Sequence, residues 1–436
     1  MLRLAAPMMV INLSMTVMQF CDAAMVAPLG SAALAAILPA GLVYFVPFAF
    51  WMGALSSVGT FVAQSLGREE KMDCGHYAWQ GLFIAAVAGA SMAVFWPLAG
   101  PIFACFGHAP EVQKLEVIYF QISLFGAIPG LIGVILSNFF IGIQRPAVLA
   151  WYAVAGTVLN VALNYVFIYG KLGFPAMGVA GSALGTVLAI TAQTAGLALH
   201  FYRAGEFGTR RPRFDFSALR KVLRIGLPSG FEIGFDVLSW SVALVWMVGL
   251  FGTLHLAATT IIVRYMHLSF MPALALAAVM AAMVGKAIGE NRKSEADRLV
   301  RIAWISTLTF MTTMGVIFFC FRHMFIGWFT DDAEIIRIGS GILLLVALFQ
   351  IFDARMIVYS HALRAAGDTL WQAVVMISTC LVVFFGGGLL MVKGFPQLAS
   401  TGPWLMGTAY ITIASLLLGW RWRTGKWRKV EIFSEG

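Results

Sequence analysis

The sequence predicts an all-α integral membrane protein with twelve transmembrane helices in two pseudo-symmetric six-helix bundles. Three observations carry this prediction. Of the 436 residues, 60% are hydrophobic and only 11% are charged, with a mean hydropathy of +0.87, which is too much apolar surface for a water-soluble core to hide. Apolar runs of membrane-spanning length recur from end to end, and the second half of the chain repeats the first.

Each apolar run is about 20 residues or longer, enough to cross roughly 30 Å of hydrocarbon as a helix. The twelve runs lie at 7–28, 33–65, 76–100, 115–141, 147–169, 177–202, 219–250, 255–285, 298–321, 334–365, 370–392 and 403–421.

The internal repeat is read from paired positions at a nearly constant offset. Pro7 and Pro228 are 221 residues apart. The offset is 222 for Gly30 and Gly252, Phe48 and Phe270, Gly67 and Gly289, and Lys71 and Lys293. We expect Gly67 and Gly289 to end the second helix of each half as glycine stops. We expect bends at Pro7, Pro47, Pro228 and Pro272.

The repeat divides the chain into an N-terminal lobe at 1–202, a cytoplasmic linker at 203–218, a C-terminal lobe at 219–421 and a basic tail at 422–436. Six helices per lobe is an even number, so both lobes enter the membrane from the same side. The repeats are therefore expected to be parallel, related by an axis along the membrane normal, with a cavity between them.

The net charge of +9 is explained by topology. If the N-terminus is cytoplasmic, 22 of the 29 Lys and Arg residues fall on the cytoplasmic side and five on the other. This positive-inside bias predicts that both termini are cytoplasmic. The basic residues at 210–213 then need no nucleic-acid partner.

Other function classes find no support in the residues. The first run corresponds to an internal helix of the repeat, so it is not expected to be a cleaved signal peptide. The five cysteines have no metal or disulfide spacing. No HExxH motif, nucleophile elbow or phosphate-binding loop is present. We therefore expect no enzyme activity and no cofactor, and we expect a monomer.

Charged residues at membrane depth are the informative ones. Six charged residues lie inside the predicted helices. Burying all six without partners would cost on the order of 15 to 20 kcal/mol, so each is expected to face a cavity, to pair or to be protonated. They are Asp22 in helix 1, Glu232 and Asp236 in helix 7, Arg264 in helix 8, and Asp353 and Arg355 in helix 10. Static ion pairs of the acids with Arg264 and Arg355 are the alternative to a role in transport.

Helical spacing groups these acids with other polar residues. Asp22 shares a face with Gln19, and Asp353 shares one with Gln350. Glu232 and Asp236 are four residues apart, so both carboxylates lie on one face. Such a pair of like charges favours retention of one proton.

Helix 5 carries a polar face made by Thr157, Asn160 and Asn164. Buried amides of this kind either coordinate an ion or bond a neighbouring carboxylate, or they hold helices together. The residues alone leave these alternatives open.

These motifs resemble the multidrug and toxic compound extrusion (MATE) family of secondary transporters, and within it the NorM-like branch. The resemblance spans essentially the whole chain. It rests on LAAP at 4–7, MQFCDAAMVAPLG at 18–30, VAQSLGREE at 62–70, LNVALNYVFIYGKLGFPAMGVAGSALGT at 159–186, GLPSGFEIGFDV at 226–237 and ALFQIFDARMIVYSHALRAAGDT at 347–369.

The resemblance implies export of organic cations by exchange with H+ or Na+. By position, Asp22 matches the acid of helix 1, Asp236 the helix 7 carboxylate, Asp353 the helix 10 aspartate and Asn160 the helix 5 asparagine. Na+ is then possible at Asp236 and Asp353. Asn164 stands where proton-coupled members often carry a second acid.

The sequence therefore predicts a multi-pass antiporter for cationic, amphipathic small molecules, with Asp22 as the first candidate coupling residue, followed by Asp353 and Asp236. The alternative is a flippase or exporter for a lipid-linked or anionic substrate, since related superfamilies share this architecture. A cavity for such a substrate should be basic, whereas here four acids outnumber two arginines at membrane depth.

Overall fold

The computed structural model describes residues 2–433, apart from the side chains of residues 2, 3, 242, 243 and 268. Met1, the first residue of the predicted N-terminal lobe, and residues 434–436, the end of the predicted basic tail, lie outside the described residues. Within residues 2–433 the secondary structure is helical, without a strand.

Within residues 2–433, twelve helical segments have the length and composition of membrane spans when one bent pair of segments is counted as a single span. They are α1 Leu2–Val26, α2 Ser31–Gly67, α3 Lys71–Phe95, α4 Pro110–Leu124 with Ala127–Gly142, α5 Ala147–Tyr169, α6 Val179–Arg203, α7 Phe216–Gly249, α8 Thr253–Gly289, α9 Lys293–Gly327, α10 Ala333–Ala366, α11 Thr369–Gly394 and α12 Thr401–Arg423.

The twelve predicted helices are confirmed, with α4 counted as one span although its two segments meet at 50°. The prolines at 7, 39, 47, 228 and 272 lie inside helices that continue through them. Departures from α-helix occur elsewhere, at Ser56 in α2 and in the π-helical segments Ser239–Ala243 of α7 and Cys380–Gly386 of α11.

The repeat is visible in the backbone of the second helix of each half. Both α2 and α8 are 37 residues long, and each follows a glycine with positive φ, 113° at Gly30 and 98° at Gly252. Both helices end at the predicted glycines, but the left-handed residues come two positions later, at Glu69 (φ 64°) and Asn291 (φ 58°). The 222-residue offset therefore holds for the helix bounds and for the turns.

Two compact units make up the chain, Leu2–Gly230 and Phe231–Gly436. Their boundary lies inside α7, whereas the repeat predicts lobe boundaries at 202 and 219. The first part of α7 packs closely on α2 within the first unit. A Cβ on Gly226 would overlap the Ala54 carbonyl, and the Ser57 hydroxyl donates to the Val222 carbonyl at 3.1 Å.

The predicted linker is packed against α3. The Trp79 indole donates to the Thr209 carbonyl at 3.0 Å. The Gln80 amide donates to the Arg213 carbonyl at 2.7 Å and accepts the Asp215 N–H at 3.1 Å. Gly75 allows this approach, because a Cβ there would overlap the Phe207 carbonyl. The linker is thus a fixed part of the first unit.

Asp215 connects the linker to the start of α7. Its Oδ1 accepts the backbone N–H groups of Ser217 at 2.9 Å and Ala218 at 3.2 Å, which are otherwise unpaired donors of the first helical turn. Its Oδ2 lies 3.4 Å from His76 Nε2 on α3. The Ala218 and Ser217 N–H groups and His76 hold the pKa of this carboxyl below its ordinary value of 3.8.

We expect Asp215→Ala to lower the free energy of unfolding at pH 7 by about 1 kcal/mol, because the helix loses its cap. Asp215→Asn should retain most of the cap and serves as the control. A lowered carboxyl pKa stabilises the folded state above about pH 4, and this contribution is lost as the pH falls through the folded-state pKa. Thermal unfolding in detergent at pH 7 and pH 3 measures both effects. Equal melting temperatures for wild type and Asp215→Ala at pH 7 would contradict the assignment.

Candidate functional site

A polar cluster inside the first unit joins three helices. Asp22 on α1 is 8% exposed, and Asn160 and Asn164 on α5 are fully buried. The two asparagines are four residues apart, so they lie on one helix face as predicted. Thr186 on α6 completes the cluster.

Both oxygens of the Asp22 carboxylate accept hydrogen bonds. Asn164 Nδ2 donates to Oδ1 at 2.5 Å, and the Thr186 hydroxyl lies 3.4 Å from Oδ2. Asn160 Nδ2 donates to the Thr186 hydroxyl at 3.0 Å, and its Oδ1 lies 3.5 Å from Asn164 Nδ2. The structure therefore brings together three residues that the sequence singled out, and adds Thr186, which the sequence analysis did not consider.

Two further contacts fix α1 along α5 on either side of Asp22. The Thr157 hydroxyl donates to the Ser14 carbonyl at 3.2 Å, and the Tyr169 hydroxyl donates to the Met25 carbonyl at 2.7 Å. Thr157 thus contacts the backbone of α1 and not the carboxylate. Gln19, expected on the face of Asp22, is exposed.

Glycines on α6 determine how closely it approaches α5. A Cβ on Gly181 would lie 2.6 Å from the Phe167 carbonyl carbon and oxygen, and one on Gly185 would overlap Asn164 Oδ1. This amide oxygen is buried and has no hydrogen-bond partner among the described residues. An unpaired buried acceptor is costly, so this oxygen is available to accept a hydrogen bond or to bind a cation.

The chemistry of the cluster suits a cation or a proton. Carboxylate, amide and hydroxyl oxygens are hard ligands of the kind that alkali and alkaline-earth cations take. The amide donors stabilise the charged carboxylate in the observed state. On protonation the carboxylic acid becomes a donor, and a rotated Asn164 amide could accept its hydrogen bond through the oxygen that is now unpaired.

A second cluster lies in the unit Phe231–Gly436. The Tyr410 hydroxyl on α12 donates to Asp236 Oδ1 on α7 at 3.1 Å. The π-helical segment of α7 begins three residues after Asp236, and its Ser239 hydroxyl accepts from the Cys380 thiol, the first residue of the π-helical segment of α11, at 3.2 Å. Such local distortions are frequent at functional sites.

Asp353 on α10 is 8% exposed and has no hydrogen-bond partner within residues 2–433. One turn before it, Gln350 is 1% exposed and donates through Nε2 to the Ser269 hydroxyl at 2.8 Å. Its Oε1 has no partner in the described part of the chain. A buried carboxylate and a buried amide oxygen therefore both lack a donor on neighbouring turns of α10.

Glu232 has partners that the sequence did not suggest. Its Oε2 accepts from Gln372 Nε2 at 2.8 Å and lies 3.4 Å from the Arg364 guanidinium. Gln372 also lies 2.6 Å from the Ser360 hydroxyl. Glu232 is 5% exposed, so the pair with Arg364 neutralises a buried charge.

The alternative that Arg264 and Arg355 form ion pairs with the buried acids is wrong. Arg264 is exposed, and Arg355 donates to the Ser415 carbonyl at 3.2 Å and lies over the Tyr359 ring. Neither forms an ion pair with an acid among the described residues. Arg364 pairs with Glu232 instead, because α10 continues to Ala366 and brings this arginine to α7.

Glu116 on α4 is a buried acid that the sequence analysis missed. It is fully buried, and its Oε1 lies 2.6 Å from His108 Nδ1. The signal was present, since position 116 falls inside the predicted span 115–141. Among residues 2–433, no three His, Cys, Asp or Glu side chains are grouped so that they could hold a metal ion.

The family comparison decides the class of protein. The family model named MatE matches residues 7–166 and 234–387, which is more than half of the chain. The chain belongs to the MatE family. Both matched segments contain acids of the clusters described above, Asp22 in the first and Asp236 and Asp353 in the second.

Curated relatives of this MatE chain are named as probable multidrug resistance proteins NorM. The protein of Mesorhizobium japonicum is 30% identical over 97% of this chain and 92% of its own length. The protein of Thermotoga maritima is 26% identical over 99% of this chain and 94% of its own length. The predicted membership of the MATE family, and similarity to its NorM members, are thereby confirmed.

Solved structures confirm the fold of the MatE chain. A MATE structure described as the bent conformation superposes with a TM-score of 0.87 at 22% identity, covering 98% of this chain and 95% of that one. A structure described as the outward-facing conformation of a multidrug resistance MATE transporter of the MOP superfamily superposes with a TM-score of 0.88 at 22% identity. The superposition covers 98% of this chain and 96% of that one. The chain is a multi-pass membrane protein of a family of multidrug transporters.

We expect Gly185→Ala to displace the Asn164 amide, because the new methyl group would occupy the position of its oxygen. The Asp22 carboxylate then loses its closest donor, and the melting temperature in detergent should fall. Gly41→Ala on α2 is the control, since a Cβ there meets nothing within 4 Å. If both variants melt at the wild-type temperature, Gly185 does not position Asn164.

We expect Arg364→Met to lower the free energy of unfolding by about 3 kcal/mol, because it leaves the buried Glu232 carboxylate without its cation. The double variant Glu232→Gln with Arg364→Met should recover most of this loss. Arg355→Met is the matched control on the same helix, since Arg355 has no acidic partner among the described residues. Denaturant unfolding of wild type, Glu232→Gln, Arg364→Met and the double variant gives the coupling energy, and additive effects would disprove the pair.

Proposed function

We propose that this chain exports amphipathic organic cations in exchange for H+ or Na+ by alternating access. The observation that carries the proposal is the Asp22 cluster, a buried carboxylate bonded by Asn164 and Thr186 beside an unpaired amide oxygen. Membership of a multidrug transporter family supports the same direction of transport and class of substrate.

Coupling follows from the energetics of one buried charge. A carboxylate at membrane depth costs about 2.5 to 3.5 kcal/mol when it has no partner. The amide and hydroxyl donors offset this cost for the free carboxylate, whereas a proton or Na+ removes the charge. Ion binding thus stabilises a different conformation from the ion-free one, and exchange requires only that the drug favour the latter.

The unit Phe231–Gly436 contributes a second candidate position. Asp353 without a donor and the unpaired Gln350 oxygen are suited to bind a cation, and Asp236 with Tyr410 is suited to bind a proton or Na+. Glu232 is neutralised by Arg364 and bonded by Gln372. We therefore assign the coupling role to Asp22, Asp353 and Asp236, and a structural role to Glu232.

We further propose a bacterial inner-membrane location with both termini in the cytoplasm. The 22 to 5 distribution of Lys and Arg supports this orientation. The basic linker between α6 and α7 then lies on the cytoplasmic side.

The test is efflux of a fluorescent organic cation from liposomes that contain the purified protein, under an imposed pH gradient or an imposed Na+ gradient. We expect one gradient to drive transport in wild type and Asp22→Asn to reduce it at least tenfold, because the amide cannot bind and release a proton. Asp353→Asn is measured beside it. Asp331→Asn, an exposed loop acid, is the control.

Loss of proton-driven efflux with Asp22→Asn assigns proton coupling to the first unit. Loss of Na+-driven efflux with Asp353→Asn assigns coupling to the second unit. If neither gradient moves the cation through the wild-type protein, the antiport proposal fails.

A further inference from the structure

An open pocket of about 370 Å³ lies outside both acidic clusters, at the end of α6. We call it the arginine pocket. Three arginines line it, Arg145 after α4, Arg203 at the last position of α6 and Arg210 in the linker, together with His200. Among the described residues that line it, Glu206 is the only acid. All of these residues belong to the first unit.

The positive charge of the pocket is only partly neutralised. Arg145 pairs with Glu206 at 2.9 Å. Arg210 donates through Nε to the Tyr202 carbonyl at 3.4 Å and lies over the Tyr202 ring. Arg203 has neither an acid nor a hydrogen-bond acceptor among the described residues. Three guanidinium groups thus face one carboxylate, and that carboxylate is 56% exposed.

The linker is shaped to bring these groups together. A Cβ on Gly205 would lie 2.8 Å from Arg210 Nε, so the glycine leaves room for this guanidinium to lie against the backbone. Phe140, 1% exposed, is part of the pocket wall, and its ring contacts His200 at 5.7 Å. The arginines are therefore held around an existing cavity by packed aromatic residues and a docked chain.

The pocket lies at the ends of membrane-spanning helices, where lipid headgroups are expected. Arg203 is the last residue of a membrane-spanning helix, and Arg145 lies two residues before the start of another. Trp151 on α5 and Tyr202 on α6 are 78% and 56% exposed near the same helix ends. Exposed aromatic residues at this depth are typical of the membrane interface.

We propose that the arginine pocket binds the phosphate group of an anionic phospholipid. Guanidinium groups bind phosphate oxygens through paired, charge-assisted hydrogen bonds, and basic pockets between transmembrane helices are suited to anionic headgroups. The lipid phosphate takes the free donors of Arg203 and Arg210 and competes with Glu206 for Arg145. The bound lipid also contacts the linker, which tightens the packing of the linker against α3.

The experiment uses the purified full chain in a neutral detergent. Its melting temperature is measured against increasing concentrations of tetraoleoyl cardiolipin, of phosphatidylcholine and, separately, of sodium phosphate. Stabilisation that depends on ligand concentration gives an apparent dissociation constant. We expect cardiolipin to stabilise the protein more than phosphatidylcholine does, and inorganic phosphate to have little effect.

Three variants make the test specific. Arg203→Gln should weaken cardiolipin binding roughly tenfold through loss of charge-assisted hydrogen bonds, while the melting temperature without lipid stays that of wild type. Arg211→Gln removes the same charge from an exposed linker position outside the pocket and should leave binding unchanged. Glu206→Gln removes the competing carboxylate and should tighten binding.

Equal cardiolipin affinity in wild type, Arg203→Gln and Glu206→Gln would overturn the proposal, as would an equal loss in Arg203→Gln and Arg211→Gln. Stabilisation by inorganic phosphate that requires Arg203 would overturn the lipid as the source and assign the pocket to a soluble phosphate. Because Glu206→Gln predicts a gain of affinity, a variant that merely folds poorly cannot produce the expected pattern.

Discussion

The high cost of a charge inside the bilayer governs the rest of this structure. The acids of the two clusters differ in how far hydrogen bonds and ion pairs compensate their charge. Asp22 is bonded by an amide and a hydroxyl, Glu232 by an arginine and an amide, and Asp236 by a tyrosine hydroxyl. Asp353 has no such donor among the described residues. Among these four acids only Glu232 is paired with an arginine within the described residues, and the proposed function assigns it a structural role.

Helical periodicity explains why much of the N-terminal cluster could be predicted. Asn160 and Asn164 are one turn apart, so the sequence alone places them on one face, and an acid in α1 is conspicuous in an apolar run. Thr186 could not be predicted, because its contribution depends on how closely α6 approaches α5 through Gly181 and Gly185. The local spacing of residues determines which side chains share a helix face, whereas tertiary packing determines which neighbouring helix contacts that face.

The same distinction between local spacing and tertiary packing explains which sequence-based predictions were wrong or missing. The sequence suggested Arg264 and Arg355 as partners because they lie at membrane depth, but the pair that forms joins Glu232 to Arg364, 132 residues away. The apolar runs predicted twelve helices correctly, since length and hydropathy are local properties. The bend between the two segments of α4 and the π-helical segments of α7 and α11 were not predicted, because the apolar runs continue through all three.

The packing of the linker against α3 limits where the chain could be divided. In a simple tandem duplication the connection between the copies would belong to neither of them. Here the glycine at position 75 and the glutamine at position 80 of the first copy are fitted to the connecting segment. A gene split before residue 203 would therefore remove from the first half the segment that covers Gly75 and pairs with Gln80.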